Sequence, residues 1–258
     1  MGIRWDARWW ARVKAAGLHF VCSLAVISIA ALVLFLIWFP GPFWSLAGGL
    51  RLIEIIFAVD LVLGPLLTLL LFDIRKSRAA LLLDVSLVLI LQVVALVYGL
   101  HSAYLARPIY LVYEVDRFVV VTAADVDPSD LSKALPEFRQ LPNRGVHRIG
   151  VREPQSPEER VNAFELALAG KDLSLRPEYW RSFDETGRQQ LRQRMRSLSE
   201  LVARGDTEAK IVSEFVESKG TGVESYTFIP VMFREKVWSV VLDKASLEIV
   251  GYLPIDGF

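Results

Sequence analysis

Three long apolar stretches dominate the N-terminal part of the chain. They cover residues 18–39, 52–72 and 79–104, and each has the roughly 20 residues that a helix needs to cross a bilayer. Pro40-Gly41-Pro42 ends the first stretch, because proline has no amide hydrogen and clashes with the preceding helical turn. A short polar segment at 73–78 separates the second stretch from the third. The pattern predicts three transmembrane helices.

The pattern changes at Arg107-Pro108, because a residue that precedes proline is biased toward extended backbone. Runs rich in β-branched and aromatic residues then alternate with turn signals and predict strands. The first two runs, 109–115 and 118–122, predict a hairpin around Asp116-Arg117. Further strands are predicted at 146–152, 226–233, 236–243 and 247–253.

Helical patterns lie between the early strands and the last three. A serine N-cap, a proline in the first helical position and a capping-box acid start a helix at Ser156, which we expect to end at Gly170. Its apolar residues Val161, Phe164 and Leu168 share one face. Two further helices are predicted at 185–204 and 207–219.

The chain is therefore expected to have two domains. Residues 1–106 form an α-helical membrane domain of three transmembrane helices. Residues 107–258 form an α+β domain with a β-hairpin, helices and C-terminal antiparallel strands. Lys and Arg number 8 before residue 107 and 21 after it, whereas Asp and Glu number 5 and 24. The zero net charge is thus a cancellation of +3 against −3, which argues against a soluble single-domain enzyme and against a basic nucleic-acid binder.

The distribution of basic residues predicts the orientation of the helices. Four basic residues precede the first apolar stretch, and three lie in the segment at 73–78, against Arg51 alone in the loop at 40–52. The positive-inside rule then places the N-terminus and residues 73–78 in the cytoplasm, and three crossings place the C-terminal domain outside. The alternative, a cleaved signal peptide ending near Ser45-Leu-Ala47, is disfavoured because the apolar run is about twice the usual length.

Polar residues inside the predicted spans are the candidate functional residues. Asp60, Asp84 and Gln92 lie within apolar helices, where a central carboxylate costs about 2.5–3.5 kcal/mol and usually faces a partner or a polar cavity. Pro65 has no amide hydrogen, so it leaves the carbonyl four residues back, that of Leu61, without its helical hydrogen bond. Gly64 allows another helix to approach closely.

Three interpretations of these carboxylates stay open. In the first, Asp60 is protonated and hydrogen-bonded to Gln92 within the chain. In the second, Asp60 or Asp84 meets a polar group on the transmembrane helix of another protein. In the third, the two residues belong to a proton or ion pathway, although three helices alone make a poor pore.

Catalytic and metal-binding motifs are not found. The sequence has no glycine-rich phosphate loop, no paired-histidine metal motif and no G-x-S-x-G, and its single cysteine, Cys22, lies in an apolar run. We therefore expect no enzymatic activity, no cofactor, no metal and no nucleic-acid partner.

Three stretches of the sequence resemble a known family. One is Trp38-Phe-Pro40-Gly-Pro42 after the first span, and the second runs from Val59 to Thr68. The third includes Asp84, Leu91-Gln92 and Tyr98-Gly99 and continues through Arg107-Pro108 to Phe118. In this order, the features are similar to those of the type IV pilin accessory proteins of the bacterial inner membrane.

The resemblance implies a non-enzymatic assembly factor, a chaperone or modulator that supports a cognate type IV major pilin. It also implies a multi-pass protein of the bacterial inner membrane, with a cytoplasmic N-terminus and an α+β periplasmic domain at 107–258. Immature pilin has one apolar membrane helix and an extracytoplasmic head, so its partner needs contacts in the lipid bilayer and outside it. We expect Asp60, Gly64 and Asp84 to line a groove for the pilin helix, and the C-terminal domain to touch the head. The oligomeric state and the presence of a small ligand stay open.

Two other classes compete with this interpretation. One is a membrane-anchored periplasmic sensor or regulator, which lacks a cytoplasmic output domain. The other is an accessory subunit of a transporter, with Asp60 as the ion-linked group. An intramembrane enzyme is the weakest alternative, because Asp60 and Asp84 are expected at different depths.

Overall fold

The computed structural model describes residues 7–258, apart from the side chain at position 52. The chain divides between Arg107 and Pro108 into two compact units. We call them the helical domain, which ends at Arg107, and the C-terminal domain, Pro108–Phe258. Each is described below by itself.

From residue 7 onward, three helical segments of the helical domain are long and apolar enough to cross a membrane. These candidate spans are Ala7–Trp38, Gly49–Leu71 and Arg78–Ala106. Most of their large apolar side chains are exposed, as expected of helices that face lipid rather than a protein core. The first segment is α1 (Ala7–Val33) with a π-helical end (Leu34–Trp38), and the loop after it contains a short helix, α2 (Phe43–Leu46). The second segment consists of α3 (Gly49–Phe57), a π-helical stretch (Ala58–Leu63) and α4 (Gly64–Leu71). The third segment is the single helix α5 (Arg78–Ala106).

The ends of the candidate spans follow from local chemistry. The first ends in a π-helical turn closed by a 2.7 Å hydrogen bond from the Phe39 amide to the Leu34 carbonyl, directly before Pro40. The third begins at the N-cap Ser77, whose hydroxyl accepts a hydrogen bond from the Ala80 amide at 3.3 Å. The observed limits agree with the predicted stretches, except that α1 extends about three turns toward the N-terminus.

The C-terminal domain is built on one mixed sheet of eight strands. The strands are β1 (Pro108–Glu114), β2 (Arg117–Thr122), β3 (His147–Val151), β4 (Trp180–Ser182), β5 (Arg196–Ser197), β6 (Tyr226–Phe233), β7 (Lys236–Asp243) and β8 (Ile249–Leu253). The order along the sheet is β4-β3-β1-β2-β6-β7-β8, with β5 paired to part of β6. The last three strands form the predicted antiparallel meander, whereas the pairs β1–β3 and β2–β6 are parallel.

The first hairpin has its turn one residue earlier than predicted. Glu114 pairs with Arg117, so the two loop residues are Val115 and Asp116 rather than Asp116-Arg117. Val115 has a positive φ of 56°, an unusual conformation for a β-branched residue. The register of the hairpin places all seven residues of β1 in the interior, as expected for a strand in the middle of the sheet.

One predicted helix is wrong. The segment 185–204 is not a single helix, because α7 (Glu185–Arg194) ends before Met195 and α8 (Ser199–Val202) is separate. Between them, β5 pairs with β6, and the Leu198 amide donates to the Tyr226 carbonyl at 3.2 Å. Tertiary hydrogen bonds with the sheet thus outweigh the local helical pattern.

The other helices agree with the sequence pattern at their ends. The Ser156 side chain accepts the Glu159 amide at the start of α6 (Pro157–Leu168). The last helix, α9 (Asp206–Lys219), ends at Gly220, whose φ of 68° is the left-handed conformation that glycine adopts readily. The shared apolar face of α6 is not packed inward, since Val161, Phe164 and Leu168 are all exposed.

Candidate functional site

Asp60 and Gln92 lie at the midpoints of the second and third candidate spans. Both are buried, and Gln92 Nε2 donates to the main-chain carbonyl of Asp60 at 3.0 Å. The expected bond to the Asp60 carboxyl group is therefore not observed. The sequence also indicated a free carbonyl at Leu61, one residue later than the carbonyl that Gln92 reaches.

The π-helical stretch explains this one-residue difference. In a π-helix, each carbonyl accepts from the amide five residues ahead, so the partner of Asp60 would be the nitrogen of Pro65. Proline has no amide hydrogen. The Gln92 amide group supplies the missing donor, and this contact keeps a main-chain acceptor satisfied between apolar helices.

His19 connects this pair to a third residue. Its Nε2 lies 2.6 Å from Gln92 Oε1 and its Nδ1 lies 2.5 Å from Thr68 Oγ1. Because Gln92 Oε1 only accepts, Nε2 carries a proton, and in the neutral ring Nδ1 accepts the Thr68 hydroxyl hydrogen. The chain Thr68–His19–Gln92–Asp60 thus links all three candidate spans. We call it the polar cluster.

The Asp60 carboxyl group has no place in this chain of hydrogen bonds. Its side chain belongs to a residue that is 4% exposed, and neither carboxyl oxygen has a hydrogen-bond partner among the residues that the structure describes. Gln92 Nε2 donates to the main-chain carbonyl of Asp60 rather than to its carboxyl group, and His19 bonds Gln92 and Thr68. Burying a carboxyl group without a hydrogen-bond partner costs folding free energy, so this group calls for a functional explanation.

Gly64 makes the polar cluster possible. A Cβ atom placed on Gly64 would lie 2.0 Å from Gln92 Nε2, a separation that no real side chain tolerates. The close approach expected at this glycine therefore occurs within the chain, where the Gln92 side chain crosses the second candidate span. Pro65, the next residue, is half-buried.

Asp84 is in a different environment from Asp60. Lys76 Nζ, from the turn before the third candidate span, donates to its carboxylate. On the same turn, Asp73 accepts from Arg12 Nη2 of the first candidate span at 3.1 Å. Asp84 is thus paired by a lysine outside the apolar core, and the structure does not bring it together with Asp60 and Gly64.

Two cavities meet at Asp60. One, of about 300 Å³, lies between the second and third candidate spans and includes Ile56, Tyr98 and Gly99 in its wall. The other, of about 120 Å³, lies against the first candidate span and includes His19 and Gln92. The carboxyl-bearing residue therefore borders open space on more than one side.

Sequence reasoning missed His19 and Thr68 as members of the site. Each is a single polar residue inside an apolar run, which is a weak but real signal of an intramembrane contact. The position of His19 near the start of the first apolar stretch indicated the membrane edge. The N-terminal extension of α1 instead places it well inside the candidate span.

The predicted domain junction, Arg107 and Pro108, lies where α5 ends and β1 begins. Arg107 is buried, its guanidinium donates to the Tyr104 carbonyl, and it lies 3.7 Å from the centre of the Tyr104 ring. Pro108 begins β1 directly afterwards. The link between α5 and β1 is therefore a single residue.

The C-terminal domain has its own cavity, of about 370 Å³, bordered by the β1–β2 and β6–β7 turns. Glu114 lies in its wall, is buried, and accepts hydrogen bonds from the Leu173 and Ser174 amides at 3.1 and 3.3 Å. Burial raises the pKa of the Glu114 carboxyl group, partly offset by hydrogen bonds from Ser174 and Leu173.

This raised pKa predicts a pH dependence of stability. The folded state retains the Glu114 proton to a higher pH than the unfolded state, so stability falls as pH rises from the unfolded pKa, about 4.3, through the folded value. We expect Glu114→Gln to remove this slope, as measured by denaturant unfolding of the full chain in detergent between pH 4 and 8. Glu214→Gln, at an exposed position on α9, should leave the slope unchanged. Equal slopes for all three proteins would contradict the prediction.

Comparison with known proteins places these features in context. Residues 7–48 match the family model described as "Fimbrial assembly protein FimB". The chain is 33% identical over 249 residues to the fimbrial assembly protein of serogroup I from Dichelobacter nodosus and 32% identical to that of serogroup E1, covering 95% of each chain in both cases. A shorter relative from the same organism, of serogroups C1 and C2, is 34% identical over 121 residues, 92% of its own length and 47% of this chain. No solved structure matches the chain.

Proposed function

Because the chain belongs to the fimbrial assembly proteins, a type IV pilus accessory family, we propose that it binds and supports a cognate type IV pilin during pilus assembly, without catalysis. The observation that carries the proposal is the similarity over nearly the whole chain to proteins named for fimbrial assembly. Their names distinguish serogroups within one organism, which supports a match between each accessory protein and its own pilin type.

The proposal also assigns a location. The protein spans the inner membrane three times, with a cytoplasmic N-terminus and a periplasmic C-terminal domain. The distribution of basic residues supports this orientation, since Arg12 and Lys76 both lie at the end of the helices that the positive-inside rule assigns to the cytoplasm. A pilin with a membrane helix and a periplasmic head would meet both domains.

The exposed face of α6 supports a contact between the C-terminal domain and the pilin head. Val161, Phe164 and Leu168 are 58%, 65% and 76% exposed, although each is a large apolar residue and all lie on one face. Such a patch on a folded domain is typical of a protein-binding surface. We assign this patch to the head.

Deletion of the protein and quantification of pilin test the proposal. We expect surface pili to be lost or strongly reduced. Retention of pilin in the membrane would indicate a role in assembly, and loss of total pilin would indicate a stabilising chaperone. Complementation with the intact chain should restore pili. Normal pili and normal pilin levels after deletion would contradict the proposed function.

Photo-crosslinking tests the contact with the head. A crosslinking amino acid at Phe164 should capture pilin in native membranes. Lys210, on the exposed side of α9, provides the control position, where we expect no capture. Gly64 is unsuitable for a crosslinker because any side chain there would collide with Gln92.

A further inference from the structure

We propose that the cavity between the second and third candidate spans binds the transmembrane helix of the pilin, and that Asp60 accepts a hydrogen bond from a donor side chain on that helix. This inference rests on the proposed function, which supplies the identity of the partner. It goes further, because it assigns the binding site and the chemistry of recognition.

The first argument is the shape of the cavity. On α5, Ala95, Gly99 and Ser102 follow each other at spacings of four and three residues, so small side chains line one face for about two turns. The facing wall is formed by Ile55 and Val59, which are also four residues apart. These two rows border a groove, and small residues let helix backbones approach closely in membranes.

The second argument is the state of Asp60 at the inner end of this groove. Its carboxyl oxygens are buried and, within the described part of the chain, without hydrogen-bond partners. The groove extends from Asp60 toward the C-terminal half of α5, so a helix lying in it would pass this carboxyl group near the midpoint of the second candidate span. A donor at that depth would satisfy the carboxyl group.

The third argument identifies the occupant as a protein helix. Lipid tails have no hydrogen-bond donors, and lipid headgroups do not reach the middle of a bilayer. A second copy of this chain, placed symmetrically in the groove, would bring a second Asp60 to the first, and like carboxyl groups repel or must share a proton. A different helix with a hydroxyl, amide or ammonium group avoids this conflict.

The groove also has an accessible rim. Tyr98 is 73% exposed beside it, whereas Gly99 packs closely against Ile56, since a Cβ there would lie 2.9 Å from Ile56 Cγ1. Tyr98 is therefore a suitable site for an aromatic photo-crosslinker. Val97, also exposed, lies about 100° away around the same helix at nearly the same depth.

The crosslinking experiment uses the full chain in native membranes that contain the pilin. We expect a crosslinker at Tyr98 to capture the pilin and one at Val97 to capture it at least several-fold less. In an Asp60→Leu background, capture from Tyr98 should fall about 3- to 18-fold, the change expected for loss of an interhelical hydrogen bond in a membrane. Ala95→Leu, which fills the groove, should also reduce capture.

A stability measurement separates recognition from a structural role. Because the Asp60 carboxyl group has no hydrogen-bond partner among the described residues, Asp60→Leu should leave the purified protein at least as resistant to unfolding by SDS as the original chain. A loss of resistance would identify Asp60 as a structural residue and overturn the inference. Retained capture in the Asp60→Leu protein would also overturn it.

The remaining outcomes distinguish this inference from the proposed function. Capture of a second copy from Tyr98, or equal capture of pilin from Tyr98 and Val97, overturns the inference. If either result is obtained and deletion still abolishes pili, the proposed function stands although the binding site is wrong. Unchanged pili after deletion would contradict the proposed function and, with it, the identification of pilin as the partner.

Discussion

Gly64→Ala is expected to destabilise the helical domain by about 2–4 kcal/mol. The new methyl group would lie 2.0 Å from Gln92 Nε2, so the Gln92 side chain must leave its position. Overpacking costs about 1–3 kcal/mol, and each lost hydrogen bond between membrane helices adds about 0.6–1.7 kcal/mol. The bonds at risk are those from Gln92 to the Asp60 carbonyl and from His19 to Gln92. Unfolding by SDS in mixed micelles measures the change.

Two further variants make this prediction specific. Gly17→Ala, in α1, adds the same methyl group where no other atom lies within 4 Å, so we expect no loss of stability there. The double variant Gly64→Ala with Gln92→Ala has no collision at this position. Gln92→Ala should therefore lower the stability of the Gly64→Ala protein much less than it lowers the stability of the original chain. Additive effects of the two substitutions would show that Gly64 and Gln92 are not in contact.

Trp180→Ala is expected to destabilise the C-terminal domain by about 3–5 kcal/mol, the usual cost of removing a buried tryptophan. The side chain is fully buried, its ring packs edge-on against Tyr110 and Phe138, and its Nε1 donates to the Ser174 carbonyl at 2.8 Å. Hydrogen exchange of the β1 and β3 amides in the full chain, followed by mass spectrometry in detergent, measures the loss of stability.

Matched variants separate the two contributions of Trp180. Trp180→Phe keeps an aromatic ring but loses the N–H donor, so we expect an intermediate cost of about 1–3 kcal/mol from the unsatisfied Ser174 carbonyl and the smaller ring. Val161→Ala, on the exposed face of α6, should leave exchange in β1 and β3 unchanged. If Trp180→Ala left the exchange of both strands unaffected, the packing described for this core would be wrong.

The elements were largely predictable because hydrophobic period reflects local geometry. The apolar stretches identified the three candidate spans of residues 7–258, and runs rich in β-branched and aromatic residues identified the strands of the C-terminal meander to within about two residues. The end of α9 at Gly220 was also predictable from the sequence, because helices commonly end at a glycine that adopts the left-handed conformation.

Predictions failed where a distant segment decides the local structure. The segment 185–204 has a helical pattern, but β5 interrupts it because Arg196 and Ser197 pair with Phe228 and Thr227. Similarly, the apolar face of α6 has the spacing of a buried face, yet no other element covers it within the C-terminal domain. The spacing of apolar residues along a helix does not by itself distinguish a face that packs in the core from a face that binds a partner.

The amino-acid pattern alone was enough to locate the candidate spans, the change of character near Arg107-Pro108 and the polar residues inside the apolar helices. Which of these residues meet depends on the folded chain, because the contacts of the polar cluster join positions 32 to 73 residues apart. The structure pairs Asp84 with Lys76 and places Gln92 over Gly64. It leaves the carboxyl group of Asp60 without a hydrogen-bond partner among the described residues, since the Gln92 amide group bonds the main-chain carbonyl of Asp60 instead.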